Sequence, residues 1–286
     1  MTKKSFVSPI VELNLGVFLI STSGVLGRAI YLPVSLTIFL RAVIALFVLL
    51  VYLKWRKIPM EITSKDRKRL FMAGAFLAAH WIMYFYSLQL SNVAIGLLTL
   101  YTFPVMTTLL EPLFMKSKLQ LHHLLSGLLV LIGIYIIAPP ISMADDNFLG
   151  VLLGLLSALC YAIRNLITKA YAQKYHQTSL MFWQLVIVSM VLVFSVGSLS
   201  GPISLDITLM ILMLGVFTTA IGHTLFVKSL QYFSASTASL VSSMQPIYGI
   251  MLAIIFLREY PNTSTYIGGC IIVAAVFLAM NFKRGV

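Results

Sequence analysis

Charge is what this sequence has least of. Charged residues make up 10% of the 286, against about 25% in an ordinary soluble domain. Only eight residues are acidic, against twenty lysines and arginines. Cysteine occurs twice, as Cys160 and Cys270, each inside an apolar run. That excludes a disulfide framework and a cysteine metal site, and leaves two small packing residues. The sequence has no HExxH, no GxSxG and no pair of acids within one apolar span. A membrane-embedded enzyme, such as a lipid-modifying transferase, would need a cluster of that kind.

What is present is hydrophobic. Apolar residues reach 60% and the mean hydropathy is +0.99. A helix that crosses the hydrocarbon needs about 20 residues. Ten spans fit, at about residues 10–27, 33–53, 70–89, 93–115, 122–138, 148–171, 178–198, 207–230, 235–257 and 264–282. Breaks fall at turn chemistry: Pro33, Pro59, Ser91-Asn92, Pro139-Pro140, Gly201-Pro202 and Pro261-Asn262. Lipid offers the backbone no partners, so each span is expected to be helix. Ten spans leave no room for a soluble catalytic domain. Lys3 and Lys4 precede an apolar stretch that Glu12 and Asn14 interrupt, which reads as a retained first helix and not a removed signal.

The net charge of +12 follows the loops. Lys3, Lys4, Lys54, Arg56, Lys57, Lys65, Arg67, Lys68, Arg69, Lys116, Lys118, Lys169, Lys174, Lys228, Lys283 and Arg284 fall on one side of a ten-span chain. Arg28 and Arg258 fall on the other, with Asp145, Asp146, Asp206 and Glu259. Sixteen against two predicts cytoplasmic termini and anionic lipid as the neighbour. Nucleic acid is not expected as a partner.

The chain also repeats itself. At an offset of 142, Ser87-Leu88-Gln89 falls on Ser229-Leu230-Gln231, Pro104 on Pro246 and Gly127 on Gly269, without a gap. Two halves are expected, 1–140 and 141–286. Five spans in each makes them inverted repeats, with a substrate near the midplane where they meet. Gly150 and Gly154 form GxxxG, and Ser234, Ala235, Ser236, Ala238 and Ser239 form a small-residue run; both are packing signals.

FLRAVIAL, with Arg41, and the stretch GVFTTAIGHTLFVKSLQYFSASTASLVSSMQPIYGIMLAIIFLRE resemble the drug/metabolite transporter superfamily, and within it the ten-helix EamA type. The second stretch is similar to that family's eighth and ninth helices. The family's helix-nine proline corresponds to Pro246, and the acidic residue after that helix to Glu259. The first half has MKSK where the matching acid would stand, so Glu259 is not half of a symmetric pair. The resemblance implies alternating-access export of a small metabolite, often an amino acid. An uptake permease or exchanger on the same scaffold is the alternative.

Ionisable groups within spans are costly and are functional candidates. Arg41, Arg164, His80 and His223 qualify; Glu111 and Lys228 lie nearer helix ends, where long side chains reach the interface. Arg41 is read as structural, because its span begins only eight residues earlier. Arg164, with Tyr161 and Asn165 on neighbouring turns, either binds a substrate carboxylate through its planar fork or snorkels. His80 and His223 either couple transport to protons or are hydrogen-bonded packing. Trp81, Tyr84, Tyr101, Tyr161, Trp183 and Tyr248 are candidates to line a cavity, with Ser242, Ser243 and Gln245 as polar contacts. Tyr52, Trp55 and Tyr175 read as belt residues. Pro104 and Pro246 are expected as kinks near the cavity. His122-His123 are adjacent and share no helix face, so no metal site is expected. No cofactor is expected beyond a coupled proton. The protein is expected in a bacterial inner membrane, as a monomer or homodimer.

Overall fold

The computed structural model describes residues 7–90, 96, 99–137, 145–199, 201–257 and 263–281. All regular structure among them is helical. The helices are α1 (Val7–Ala29), α2 (Val34–Trp55), α3 (Ser64–Leu90), α4 (Phe103–Met115), α5 (Leu121–Ile137) and α6 (Asp145–Tyr171). Then come α7 (Gln177–Leu192), α8 (Leu205–Met213), α9 (Thr224–Ser229), α10 (Ala235–Ser242), α11 (Gln245–Leu257) and α12 (Thr263–Asn281). A 3-10 turn, Val193–Ser198, extends α7, and a π-helical stretch, Leu214–His223, joins α8 to α9. Among the described residues five stretches are long and apolar enough to cross a membrane: Val34–Trp55, Ser64–Leu90, Phe148–Tyr171, Gln177–Ser198 and Leu205–Ser229. Shorter apolar helices are Pro9–Ser23, Phe103–Met115, Leu121–Ile136 and Tyr266–Ala279. Phe47, Leu113, Phe148, Phe194 and Phe277 all stand exposed, as side chains facing lipid do.

Local chemistry sets the helix ends. Ser204 and Ser234 cap α8 and α10 by accepting from the N–H groups of Ile207 and Thr237, at 3.4 and 3.0 Å. His176 Nδ1 does the same for Thr178 at the start of α7, at 3.3 Å. Lys116 ends α4 in the left-handed conformation, φ 50°. Pro104 and Pro246 are each the second residue of a helix that opens after a two-residue turn, Tyr101–Thr102 and Ser243–Met244. A proline there costs no helical hydrogen bond. The interruption is therefore a turn ahead of each proline, and not a bend at it.

The chain divides into two compact units, Met1–Ala78 with Ile167–Phe233, and Ala79–Leu166 with Ser234–Val286. Each takes helices from both halves of the sequence. In the first unit α1 packs on the π-helical stretch and α9, while α2 packs on α7 and the same stretch. The approaches are close. A Cβ on Gly16 would stand 3.0 Å from Gly222 O, and one on Gly215 would stand 2.7 Å from Ile44 Cβ. In the second unit α5 lies along α12, and α10 packs on α4. Its core holds Tyr101, Phe103, Val130, Ile134, Ala158, Tyr161, Leu240, Ile272, Ala275 and Ala279.

Candidate functional site

The second unit gathers most of the candidate residues. His80 sits on α3, and four residues on, one turn along the same face, comes Tyr84. Their rings are stacked, 6.3 Å apart and 16° from parallel. Across from them α6 presents Tyr161, whose ring lies 4.4 Å from that of His80 and 20° from parallel. Phe103, at the start of α4, meets Tyr161 edge-on at 4.8 Å, and Tyr101 lies 6.3 Å from Phe103. The result is a run of π faces built by three segments.

Arg164 closes one side. Its guanidinium carbon stands 6.0 Å from the centre of the Tyr161 ring. Nη1 donates to Asn165 Oδ1 at 3.0 Å. Both side chains are fully buried, so the snorkelling alternative does not hold here. A guanidinium steadied by an amide beside an aromatic face has the planar geometry that suits a carboxylate.

His80 is held from the other side by Ser157, one turn before Tyr161 on α6. His80 Nδ1 lies 2.8 Å from Ser157 Oγ and 3.2 Å from Ser157 O. Ser157 Oγ in turn donates to His80 O at 3.0 Å. Sequence reasoning missed Ser157. Helical spacing points to it, because 157, 161 and 164 share a face of α6.

The other candidates are divided between the two units. Trp81 is buried beside His80. Ser243 is fully buried at the turn before α11, and its hydroxyl has no hydrogen-bond partner among the described residues. Gln245 and Tyr248 are half-buried on α11. Ser242 donates to Ala238 O at 3.0 Å. Trp183 belongs to the first unit and donates to Met60 O at 2.8 Å, a structural tie. His223 is also in the first unit, buried at the end of the π-helical stretch.

Arg41 lies in the first unit too. Its Nε donates to Thr219 Oγ1 at 3.0 Å, and Thr219 donates on to Leu214 O at 2.8 Å. A side-chain hydroxyl within the π-helical stretch is thus one of its partners. Thr22 and Thr218 pair at 2.9 Å and tie the same stretch to α1.

Two expectations change, for Glu111 and Tyr175. Glu111 does not reach an interface. It is buried in the second unit and caps α10, accepting from Ala235 N at 2.8 Å, Ser236 N at 3.1 Å and the Ser236 hydroxyl. A carboxylate at a helix N-terminus is well placed, and the small-residue run lets it approach. Lys228 pairs with Glu12 at 2.7 Å. Tyr175 is not only a belt residue; its hydroxyl donates to Asp66 at 2.6 Å, beside Lys174 at 2.5 Å. Trp55 is exposed, as a belt residue should be. The GxxxG run is a contact: Ser87 donates to Gly150 O at 2.7 Å, and a side chain on Gly154 would collide with Thr99. The His122 and His123 rings lie 4.3 Å apart, and His123 Nε2 meets Thr237 Oγ1 at 3.2 Å. No group of three or more metal-binding side chains occurs among the described residues. Arg258 and Glu259 lie outside the described residues.

The profile of the EamA-like transporter family matches residues 10–138 and again 148–281. The chain belongs to the EamA-like transporter family. It is therefore a transporter and not an enzyme, and a multi-pass membrane protein. An uncharacterized transporter, YxxF, of Bacillus subtilis is 22% identical over 100% of this chain and 93% of its own. The pseudopaline exporter CntI of Pseudomonas aeruginosa is 23% identical over 89% and 88%. Solute carrier family 35 member G1 of the mouse is 23% identical over 85% and 70%. A solved crystal structure of a protein shares the fold, with TM-score 0.84 at 17% identity over 98% of this chain and 99% of that one.

Proposed function

We propose that this transporter moves a small carboxylate-bearing metabolite, of the amino-acid class, out of the cytoplasm by alternating access. One observation carries this reading: a fully buried arginine, Arg164, fixed by Asn165 and facing a stack of aromatic rings. A buried cation in a membrane span is costly, so a site that holds one has a use for it. The rings of Tyr84, Tyr101 and Tyr161 supply flat apolar faces for the organic part of a substrate. Ser243 and Gln245 supply polar contacts. The exporter among the relatives supports the outward direction.

The scaffold is read as ten helices in two inverted five-helix repeats, 1–140 and 141–286, with both termini cytoplasmic. Two facts support it. The family profile matches twice, and the turns before Phe103 and Gln245 recur 142 residues apart. The membrane is a bacterial inner membrane, and the protein works there as a monomer or homodimer with lipid and its substrate as partners. Proton coupling belongs to His80 or His223.

The test is counterflow in proteoliposomes, with a labelled mixed amino-acid pool at two pH values. Accumulation of one amino acid is expected. Arg164→Gln should lower it about ten- to hundred-fold, the worth of a charge-assisted hydrogen bond, at unchanged membrane abundance. Wild-type kinetics in that variant would remove the carboxylate reading. Direction is tested in cells, where loss of the protein should raise the internal level of the same amino acid.

A further inference from the structure

A count along the chain treats all lysines alike, but the first unit uses them in two ways. Lys169, Lys174 and Lys228 are spent inside it. Lys169 Nζ donates to Leu230 O at 2.6 Å and to Phe233 O at 2.7 Å. Lys174 pairs with Asp66 at 2.5 Å, and Lys228 with Glu12 at 2.7 Å. The connection from α2 to α3 is different. Lys54, Arg56 and Lys57 stand at the end of α2, and Lys65, Arg67, Lys68 and Arg69 at the start of α3, against two acids, Glu61 and Asp66. All seven basic residues are exposed. None forms an ion pair with a described residue, and Asp66 is already held by Lys174, Tyr175 and Thr63. Lys54, Lys57, Lys65 and Lys68 have no side-chain partner among the described residues. Helix stability does not account for the set: a cation suits the last turn of α2, but Lys65 and Arg67 oppose the dipole in the first turn of α3. Lys57 also takes a left-handed backbone, φ 51°, which favours glycine.

The connection has a built middle. Ser179 donates to Pro59 O and Trp183 to Met60 O, each at 2.8 Å, Thr63 N donates to the Tyr175 hydroxyl at 3.2 Å, and Ile62 is buried. The charged ends are left on the outside. Both flanking stretches, Val34–Trp55 and Ser64–Leu90, are long and apolar enough to cross the membrane, so the connection stands at one membrane face. An aromatic group marks that level. Trp55 is 74% exposed, Tyr52 meets it edge-on at 6.4 Å, and the Arg56 guanidinium lies 5.7 Å from the centre of its ring. Such rings sit at the headgroup level of a bilayer. We infer that the connection Lys54–Arg69 is a binding surface for anionic phospholipid, with the unpaired lysines and Arg56 taking the headgroup phosphate and Trp55 lying against the lipid beside it. Charge complementarity selects this occupant: a cluster of four to eight cations next to a membrane helix attracts anionic headgroups. The selectivity belongs to this connection and not to the basic residues at large, because Lys169, Lys174 and Lys228 are engaged elsewhere. It is independent of what the protein transports.

The experiment is native mass spectrometry of the full chain in detergent, given equal amounts of phosphatidylglycerol and phosphatidylcholine with the same acyl chains. The wild type is expected to retain phosphatidylglycerol in preference. Lys57→Gln should lower that preference about fivefold, the worth of one cation near an anionic surface. The combined variant Lys54→Gln, Lys57→Gln, Lys65→Gln, Lys68→Gln should lose it, and Lys228→Gln should keep it in full. Equal retention of the two lipids by the wild type would overturn the inference. So would a combined variant that keeps the preference, or a Lys228→Gln variant that loses it. Inorganic phosphate, compared with chloride at the same ionic strength, separates the lipid from a free anion: displacement of phosphatidylglycerol by phosphate alone would mean that the surface takes a soluble phosphate, and the lipid assignment would fall. A second measurement needs no variant. Phosphatidylglycerol with a photoreactive headgroup should label the wild type within residues 52–69, and labelling confined to other segments would overturn the assignment even if the combined variant failed to insert.

Discussion

Arg41 and Arg164 are equally buried, at 1% and 0% exposure, and they differ in everything around them. Arg41 donates to a threonine hydroxyl that is itself engaged with the backbone of a π-helical stretch. It stands where helices approach closely, with Gly215 against Ile44 and near the Arg41 carbonyl. Arg164 donates to an amide and faces rings that carry no charge of their own. The first arrangement ties the guanidinium to a hydroxyl of the π-helical stretch. The second sets a planar guanidinium beside a run of aromatic rings. Burial alone does not make an arginine a binding residue; what it faces does.

The largest expected effect comes from crossing the two. Arg164→Gln should abolish most counterflow and leave folded protein in the membrane. Arg41→Gln should do the reverse, losing about 1.5–3 kcal/mol of stability with its charge-assisted hydrogen bond, and so reducing membrane abundance. Thermal unfolding in nanodiscs beside counterflow per folded molecule reads both. If Arg41→Gln stays abundant and stops transport, the contrast is wrong and Arg41 belongs to the substrate path.

A smaller effect is expected from two glycines, one in each unit. Gly215→Ala presses on Ile44 and shifts the stretch that carries Thr219 away from Arg41. Gly154→Ala presses on Thr99 and on Ser87 Oγ, 2.9 Å away, and shifts the helix that carries Ser157, Tyr161 and Arg164. Overpacking of this kind costs about 1–3 kcal/mol. Both variants should unfold at lower temperature. Only Gly154→Ala should also lower transport per folded molecule. Gly197→Ala, where a Cβ meets nothing within 4 Å, is the control for both.

Much of this was legible in the sequence because lipid simplifies the problem. A backbone that must satisfy itself becomes helix wherever the apolar run is long enough. The span expected at 33–53 is Val34–Trp55, and that at 148–171 lies within Asp145–Tyr171. Arg164, Tyr161 and His80 stood out because ionisable and aromatic residues at helical spacing are conspicuous in such runs. The rest depended on partners distant in the chain. Glu111 looked like a helix-end residue until Ala235 and Ser236 came to it. Ser157 is one serine among many until His80 lies 2.8 Å away. The π-helical stretch Leu214–His223 has no local signal, since its sequence also suits an α-helix; tight packing and the Thr219 bonds accompany it. Trp183 stands out by ring chemistry alone, and its tie to Met60 in the first unit depends on position.

The smallest expected effect lies outside the membrane, where charge behaves ordinarily. Lys174 and Asp66 form an exposed pair at 2.5 Å, with Tyr175 and Thr63 also donating to the carboxylate. The hydrogen bond to Asp66 raises the Lys174 ammonium above its usual range. A raised lysine stabilises the fold fully at pH values below the unfolded value, about 10.4, and loses that contribution as pH rises through the folded value. Stability should therefore be level across neutral pH and dip slightly only above about pH 10.4. Lys174→Gln should remove the dip and change little else, because exposed pairs are screened by water and salt. A Lys174→Gln variant that lost as much stability as Arg41→Gln would mean that this loop pair, and not the buried arginine, is what holds the first unit together.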